Sequence, residues 1–372
     1  MILLTIAIFI LILGLLIFVH ELGHFIMAKR AGMRVEEFGF GFPPRIFGIT
    51  RGETTYSLNL IPLGGFVKIT GENGEQSDDQ RSFVNKSAWQ RFSVLIAGVS
   101  MNVVLAWVLI SIGLGIGLPT MISEGESLSR SAEVRNVQIS VVEVSPDSPA
   151  ASASVKPGDS IVQINGQPIS SIEELQIKTV ENSGRETVYE FKRGDETFSK
   201  TLVPRSNPPA GEGPLGVAMA QVAQVSYPWY ETPFRGLAAT VSLTWATLTA
   251  FATIIGQWIG GQSVSGSLSG PVGIAVLTRD VAALGLIYLL QFTALLSVNL
   301  AIINAVPFPA LDGGRVLFLL IEKIRGRKMG IKAEQVANTV GFSLLILLMI
   351  FVTVKDVTRY GDGFKRLFER IF

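Results

Sequence analysis

FVHELGHFIMAKR, residues 18–30, is the stretch on which the reading of this chain turns. It follows a run from Ile2 to Val19 that carries no charged residue and is almost entirely Leu, Ile, Phe, Val, Ala and Gly. A run of that length predicts a transmembrane helix, continuing to about Ala28. Ionisable groups in such a helix are costly, so two histidines and a glutamate at its end point to a functional site. On an α-helix His20 and His24 share one face, about a turn apart. Two imidazoles so placed can hold one zinc ion, with Glu21 in reach of a metal-bound water as general base. These are the only histidines in the chain. The plainer reading, two interfacial histidines anchoring a helix end, gives Glu21 no role.

The bulk composition fits an integral membrane protein. Of 372 residues, 48% are hydrophobic and only 16% charged, and the mean hydropathy is +0.44. A net charge of +1 offers no bulk attraction for nucleic acid or acidic substrates. With no cysteine, disulfides and thiolate zinc sites are both excluded. The opening run lacks a basic leader and a small-residue cleavage site, so a retained span is expected rather than a signal peptide.

Further apolar runs cover Phe92 to Leu118, Val281 to Leu311 and Gln335 to Val354. Another, Gly236 to Thr278, is uncharged but rich in Gly, Ser and Thr. The segment 29–91 reads as a basic loop holding a hairpin around Arg51-Gly52, apolar enough to associate with the membrane. Residues 131–205 read as a soluble α+β domain. A strand is followed by a short helix after Ser148-Pro149, a tight turn at Lys156-Pro-Gly-Asp159 and a strand from Ser160 to Ile164. Then come a turn at Asn165-Gly166, a helix opening near Ser171, and a hairpin around Arg193-Gly-Asp195. That order resembles a PDZ domain, a module that binds extended chains by strand addition; a small α+β spacer is the plainer reading. Residues 206–280 read as a linker followed by an interfacial or re-entrant segment.

A catalytic zinc normally has three protein ligands and an open fourth position. Without a third histidine or a cysteine, the third ligand is expected to be a carboxylate. The best candidate is Asp312 in NLAIINAVPFPALDGGR, where Pro307 and Pro309 interrupt any regular helix and a broken helix can aim a side chain into a cavity. On its own, that aspartate reads equally as a helix end before a Gly-Gly turn.

HELGH in the first span, NAVPFPALDGG near the end and a PDZ-like insert between them resemble the bacterial site-2 proteases, the RseP-type intramembrane zinc metalloproteases. IPLGGFVKITGE at 61–72 and LSGPVGIA at 268–275 add to the likeness, which covers nearly the whole chain. The resemblance implies His20, His24 and Asp312 as zinc ligands, Glu21 as the catalytic glutamate and Asn304 as a residue that holds the substrate backbone. It also implies membrane-spanning protein substrates in a bacterial cytoplasmic membrane, such as anti-sigma factors or remnant signal peptides. The best-known member carries two PDZ domains; here one is legible.

The site also constrains topology. Nine basic residues between Lys29 and Arg91 mark that loop as cytoplasmic, so the PDZ-like domain is expected outside. Asp312 meets the histidines only if its span, 281–314, runs inward, so 236–278 must cross an even number of times. The expected fold is therefore a polytopic α-helical membrane protein of four spans with an inserted α+β PDZ domain and a membrane-associated hairpin. A non-catalytic PDZ-bearing scaffold is the rival reading; a metal transporter would need an acidic or histidine-rich entry path, which the sequence lacks.

Overall fold

The computed structural model describes residues 2–72, 78–122, 129–194, 196–261, 269–327 and 329–371. They form two compact units: Met1–Leu109 with Leu237–Arg279 and Phe292–Phe372, and Ile110–Gly236 with Asp280–Gln291.

In the first unit, α1 (Ile2–Arg30) is one continuous helix ending on Lys29 and Arg30, cations suited to the negative end of a helix dipole. It leads into β1 (Val35–Arg51) and β2 (Thr54–Ile69), an antiparallel pair turning at Gly52. The pair is doubled back on itself. Glu37 lies opposite both Lys68 and Thr55, and Ser57 opposite both Gly39 and Gly48. The result is a four-layered ribbon whose outer edges are the last part of β2 and the last part of β1. The bends fall at Gly41 (φ 82°) and Gly64 (φ 143°), conformations that glycine adopts without penalty. The ribbon packs along α1, with the Phe18 ring 5.5 Å from Phe38 and 6.3 Å from Phe40. A side chain on Gly14 would lie 2.9 Å from Phe40, so the ribbon runs beside the middle of α1. At its turn, Glu53 accepts from Lys29 (2.9 Å) and Arg81 (2.6 Å), and the Lys29 hydrogen bond foremost holds its carboxyl below the usual range.

α2 (Ala88–Ile116) runs antiparallel to α1. The two approach closely because Gly23 faces the Ala97 backbone, where any side chain would collide.

The second unit holds the inserted β domain. Its elements are β3 (Leu118–Met121), β4 (Glu133–Val144), α3 (Pro149–Ser152), β5 (Ser160–Ile164), β6 (Gln167–Pro168), α4 (Ile172–Glu181), β7 (Thr187–Arg193), β8 (Glu196–Leu202) and β9 (Val217–Ser226). The sheet order is β3-β9-β4-β5-β7-β8, with β6 on β5. Ile139, Val141, Ile161, Leu175, Tyr189 and Phe191 form its buried core. The local signals act as their chemistry dictates. Ser148 and Ser171 cap α3 and α4 by accepting from Ala151 and Glu174 N–H groups. Asp159, fully buried, accepts from the Lys156 N–H (2.8 Å) and from Arg193 (2.5 and 2.7 Å), which closes the Lys-Pro-Gly-Asp turn and ties it to β7. Of the turn expected at Arg193-Gly-Asp195, Asp195 lies outside the described residues.

The domain is larger than residues 131–205. Part of the expected linker, 217–226, is a strand of the sheet, seated between β3 and β4 with Glu133 opposite Ser226. Its Ala-Val-Gln alternation has little contrast, and its partners lie far away in sequence, so local pattern does not reveal it.

After β9 come α5 (Thr232–Ile259), α6 (Pro271–Leu284), α7 (Leu286–Ala305), α8 (Asp312–Arg325) and α9 (Ile331–Ile371). Five helices, α1, α2, α5, α7 and α9, are long and apolar enough to cross a membrane. The segment expected to be interfacial or re-entrant begins with one continuous 28-residue helix, α5; residues 262–268 lie outside the description. Threonines that read as breakers are absorbed along α5, since Thr244, Thr247 and Thr253 donate to carbonyls one turn back. The run from Val281 to Leu311 is split at Gly285 (φ 115°), so the span expected over 281–314 begins at Leu286 and stops at Ala305. Beyond that span, Asp312–Arg325 form α8, ended by left-handed Gly326. α9 continues well beyond Val354.

Arg91 at the start of α2 and Glu322 of α8 pair at 2.7 Å, each side chain only 13% exposed. Removing one partner of such a pair strands a charge. Arg91→Leu is expected to lower unfolding stability by about 3 kcal/mol, and Arg91→Leu with Glu322→Leu to recover most of it, as measured by thermal unfolding in detergent.

Candidate metal centre

α1 presents His20 and His24 one turn apart, their ring centroids 4.8 Å from each other. The third group arrives from the break between α7 and α8. Pro307 and Pro309 offer no N–H for a helix, and the chain turns tightly: Phe308 N–H donates to Val306 (2.7 Å) and Leu311 N–H to Phe308 (3.1 Å). Ala310 adopts φ 74° and its N–H donates to the Asn338 side chain of α9 at 3.0 Å. Gly313 and Gly314 follow because side chains there would run into the carbonyls of Ala305, Val306 and Phe308. Asp312 is thereby the first residue of α8, its carboxylate at the positive end of a helix dipole.

The donor atoms converge. His20 Nε2 and His24 Nε2 are 3.2 Å apart, and Asp312 Oδ2 lies 3.0 Å from the first and 3.3 Å from the second. Tetrahedral zinc with bonds of about 2.0–2.1 Å separates neighbouring ligand atoms by roughly 3.3 Å, so the triangle suits that ion. Among the described residues, this is the group whose nitrogen and carboxylate donors all lie within 4.8 Å of one another. Gly98 of α2 faces the same space; a Cβ there would collide with His24 Nε2 and lie 2.7 Å from His20 Cε1. His24 donates from Nδ1 to the Val94 carbonyl at 2.8 Å, which leaves its Nε2 lone pair free for a metal.

Glu21 follows His20 on the helix, and its stem neighbours Gly65 of β2, whose Cβ would meet Glu21 Cγ at 3.5 Å. The carboxylate therefore belongs to a region bounded by the triangle and the outer edge of β2. Asn304 stands in the last turn of α7, half-buried and outside the triangle.

The structure thus brings His20, His24 and Asp312 together, with Glu21 beside them. Gly98, Val94 and Asn102 of α2 also build the site, and sequence reading passed over them. A glycine and an asparagine four residues apart in an apolar helix were the available signal.

Comparison with known proteins supplies the context. Residues 8–348 match peptidase family M50. A Clostridium perfringens chain named as a candidate zinc metalloprotease is 37% identical, covering 92% of this chain and 95% of its own length. The regulator of sigma-W protease RasP of Bacillus subtilis is 30% identical over 95% of this chain and 98% of its own. The regulator of sigma-E protease RseP of Escherichia coli is 30% identical, again over 95% and 98%.

The closeness of Gly98 to both imidazoles makes it a test of the centre. Gly98→Ala is expected to weaken metal retention by about 10–100-fold while the chain still inserts and folds, read from metal stoichiometry of the purified protein.

Proposed function

Because the chain belongs to peptidase family M50, the zinc metalloendopeptidases of site-2 protease type, we propose that His20, His24 and Asp312 are its zinc ligands, and Glu21 its general base, in hydrolysing peptide bonds within or near the transmembrane segments of membrane proteins. The converging triangle with Glu21 beside it carries this reading.

Zinc, when bound, supplies Lewis acidity toward the scissile carbonyl and acidifies the attacking water. Glu21 takes that water's proton as its oxygen joins the carbonyl carbon, then gives the proton to the amide nitrogen as the C–N bond breaks. The three ligands and Gly98 fix where this happens. Asn304, whose carboxamide can both donate and accept, holds the substrate backbone at the end of α7.

A substrate helix must unwind to expose its backbone, and a free strand edge can hold the unwound segment extended. Thr55 and Ser57, near the hairpin turn, are paired on both sides. Among the described residues, Gly65–Val67 in the last part of β2 pair on one side only, and this edge lies beside Glu21. Alternate N–H groups of an antiparallel strand face outward, so of Phe66→Pro and Val67→Pro one removes an outward donor. That variant is expected to cleave about tenfold more slowly with unchanged zinc content; equal cleavage by both variants and the parent would count against the strand edge.

Four full spans remain the preferred topology. The end of α2 and the start of α7 lie side by side, since a Cβ on Gly113 would lie 3.3 Å from Leu290. The chain between them therefore begins and ends on one face. α6, with 14 residues, is only about 21 Å long against a hydrocarbon core of about 30 Å. These features support α5 lying along the interface rather than making a lone crossing. With the loop after α1 cytoplasmic, the β domain is outside in a multi-pass protein of the bacterial cytoplasmic membrane.

We read the β domain as a single PDZ domain. A groove of about 480 Å³ runs between α4 and the start of β9, lined by Ile172, Gln176, Val180, Leu215, Val217 and Met219. Among the described residues, β3 pairs with Val222–Val225 of β9 and the Ile122 N–H donates to the Gln221 carbonyl, leaving Val217–Ala220 with one neighbouring strand. An extended peptide fits that edge, so the domain can screen or hold substrates above the membrane. The names of two relatives make anti-sigma factors the leading substrate class, with remnant signal peptides second.

Glu21→Gln is expected to abolish cleavage of a membrane-spanning reporter while zinc content stays near that of the parent. Unchanged turnover would exclude the protease assignment and leave the scaffold reading.

A further inference from the structure

The second imidazole of the centre is held differently from the first, and the difference singles out a residue of α2. His24 has a backbone carbonyl at its Nδ1, an acceptor that cannot vary. His20 has instead the side chain of Asn102, whose Nδ2 is 3.2 Å from His20 Nδ1. Asn102 is completely buried, in the interior of α2, and its Oδ1 is buried without a hydrogen-bond partner. An amide in that setting is costly unless it serves a purpose.

We propose that Asn102 is a positioning residue for the metal centre: its carboxamide oxygen accepts from His20 Nδ1–H and so holds His20 in the tautomer and orientation that offer Nε2 to zinc. The inference rests on His20, His24 and Asp312 being the ligands. The chemistry is that of imidazole. A ring nitrogen binds metal only through a free lone pair, so a ligating Nε2 requires the proton on Nδ1. That proton needs an acceptor, and outer partners of this kind fix ring orientation and raise ligand basicity. The two ends of a carboxamide are nearly isosteric, and Asn102 has an acceptor to spare. With its nitrogen toward Nδ1, as in this structure, it donates to the tautomer that carries its proton on Nε2, where no lone pair is left for a metal. With the amide turned, it receives the metal-binding one. Neither leucine nor alanine serves either state.

The placement of Asn102 is itself secured. Ser297 of α7, also fully buried, donates from Oγ to the Asn102 carbonyl at 2.7 Å. One line of contacts thus joins α7, α2 and α1 and ends on a ligand.

The test compares the full-length parent with Asn102→Leu, Asn102→Asp and His20→Ala in detergent. Zinc affinity is measured by chelator competition, the d–d absorption after cobalt substitution reports ligand geometry, and metal-free thermal stability is recorded for each. Asn102→Leu is expected to bind zinc about 10–100-fold more weakly with an altered cobalt spectrum, and Asn102→Asp, which keeps the acceptor, to stay within about threefold of the parent. Metal-free stability should not fall in step with affinity. Parent-like affinity in Asn102→Leu, or equal losses of affinity and metal-free stability in both Asn102 variants, would overturn the proposal. A parent that binds no zinc, or His20→Ala that binds it as well as the parent, would instead remove the ligand assignment beneath it.

Discussion

The proposed zinc centre sets one demand on the rest of the structure: two imidazole nitrogens and a carboxylate oxygen, nearly three hundred residues apart in sequence, must lie within about one zinc coordination shell of each other in an apolar surrounding. Brought together without a cation, their lone pairs repel. Separated by an ångström, they no longer chelate. The close fit of α1 to α2 answers this demand, because Gly23 and Gly98 let backbones and rings approach where a methyl group would not fit. The interruption between α7 and α8 answers it too. A continuous helix would carry Asp312 past the histidines, whereas the two prolines, left-handed Ala310 and the paired glycines return the chain and start a new helix on the carboxylate.

Much of this was legible in the sequence because chemistry and local pattern coincide there. His20 and His24 share a helix face by arithmetic, with Glu21 next to them; the lack of cysteine and a third histidine called for a carboxylate, and it was the family resemblance that pointed to Asp312 among the thirty available. The capped helices and turns of the β domain follow from Ser148, Ser171, Asn165-Gly166 and Asp159, each acting over a few residues. What escaped was set by partners far along the chain. β9 reads as polar linker until β3 and β4 flank it. The fold-back of β1 and β2 depends on bends at Gly41 and Gly64, and it puts an open edge in the stretch after Gly64. The hydroxyls of α5 look solvent-seeking until they are seen bonded to their own helix.

The doubled ribbon also answers a difficulty that its position creates. Peptide groups beside the middle of an apolar helix cannot rely on water. By folding back, the first half of β1 and the first half of β2 are each paired on both sides, and buried Asn59 donates to the Gly41 carbonyl at the bend. Unpaired backbone is confined to the two edges. One of these lies next to Glu21; the other carries exposed Ile46, Phe47 and Ile49, side chains suited to lipid. The same economy that shelters the backbone leaves open, beside the metal centre, an edge fit for a substrate strand.

The motif at 270–275 gains a physical meaning from the far end of α9. Asp356, buried, accepts from the Gly273 N–H at 2.7 Å, and side chains on Gly270 or Gly273 would crowd its carboxylate. A carboxylate at the first turn of α6 satisfies backbone donors that would otherwise be stranded and meets the positive end of the helix dipole. α9 is therefore fastened twice: by Asn338 to the bend before Asp312, and by Asp356 to the start of α6. Eighteen residues of helix separate the two anchors by about 27 Å, nearly a hydrocarbon thickness. The start of α6 is thus held about that far along α9 from the bend before Asp312.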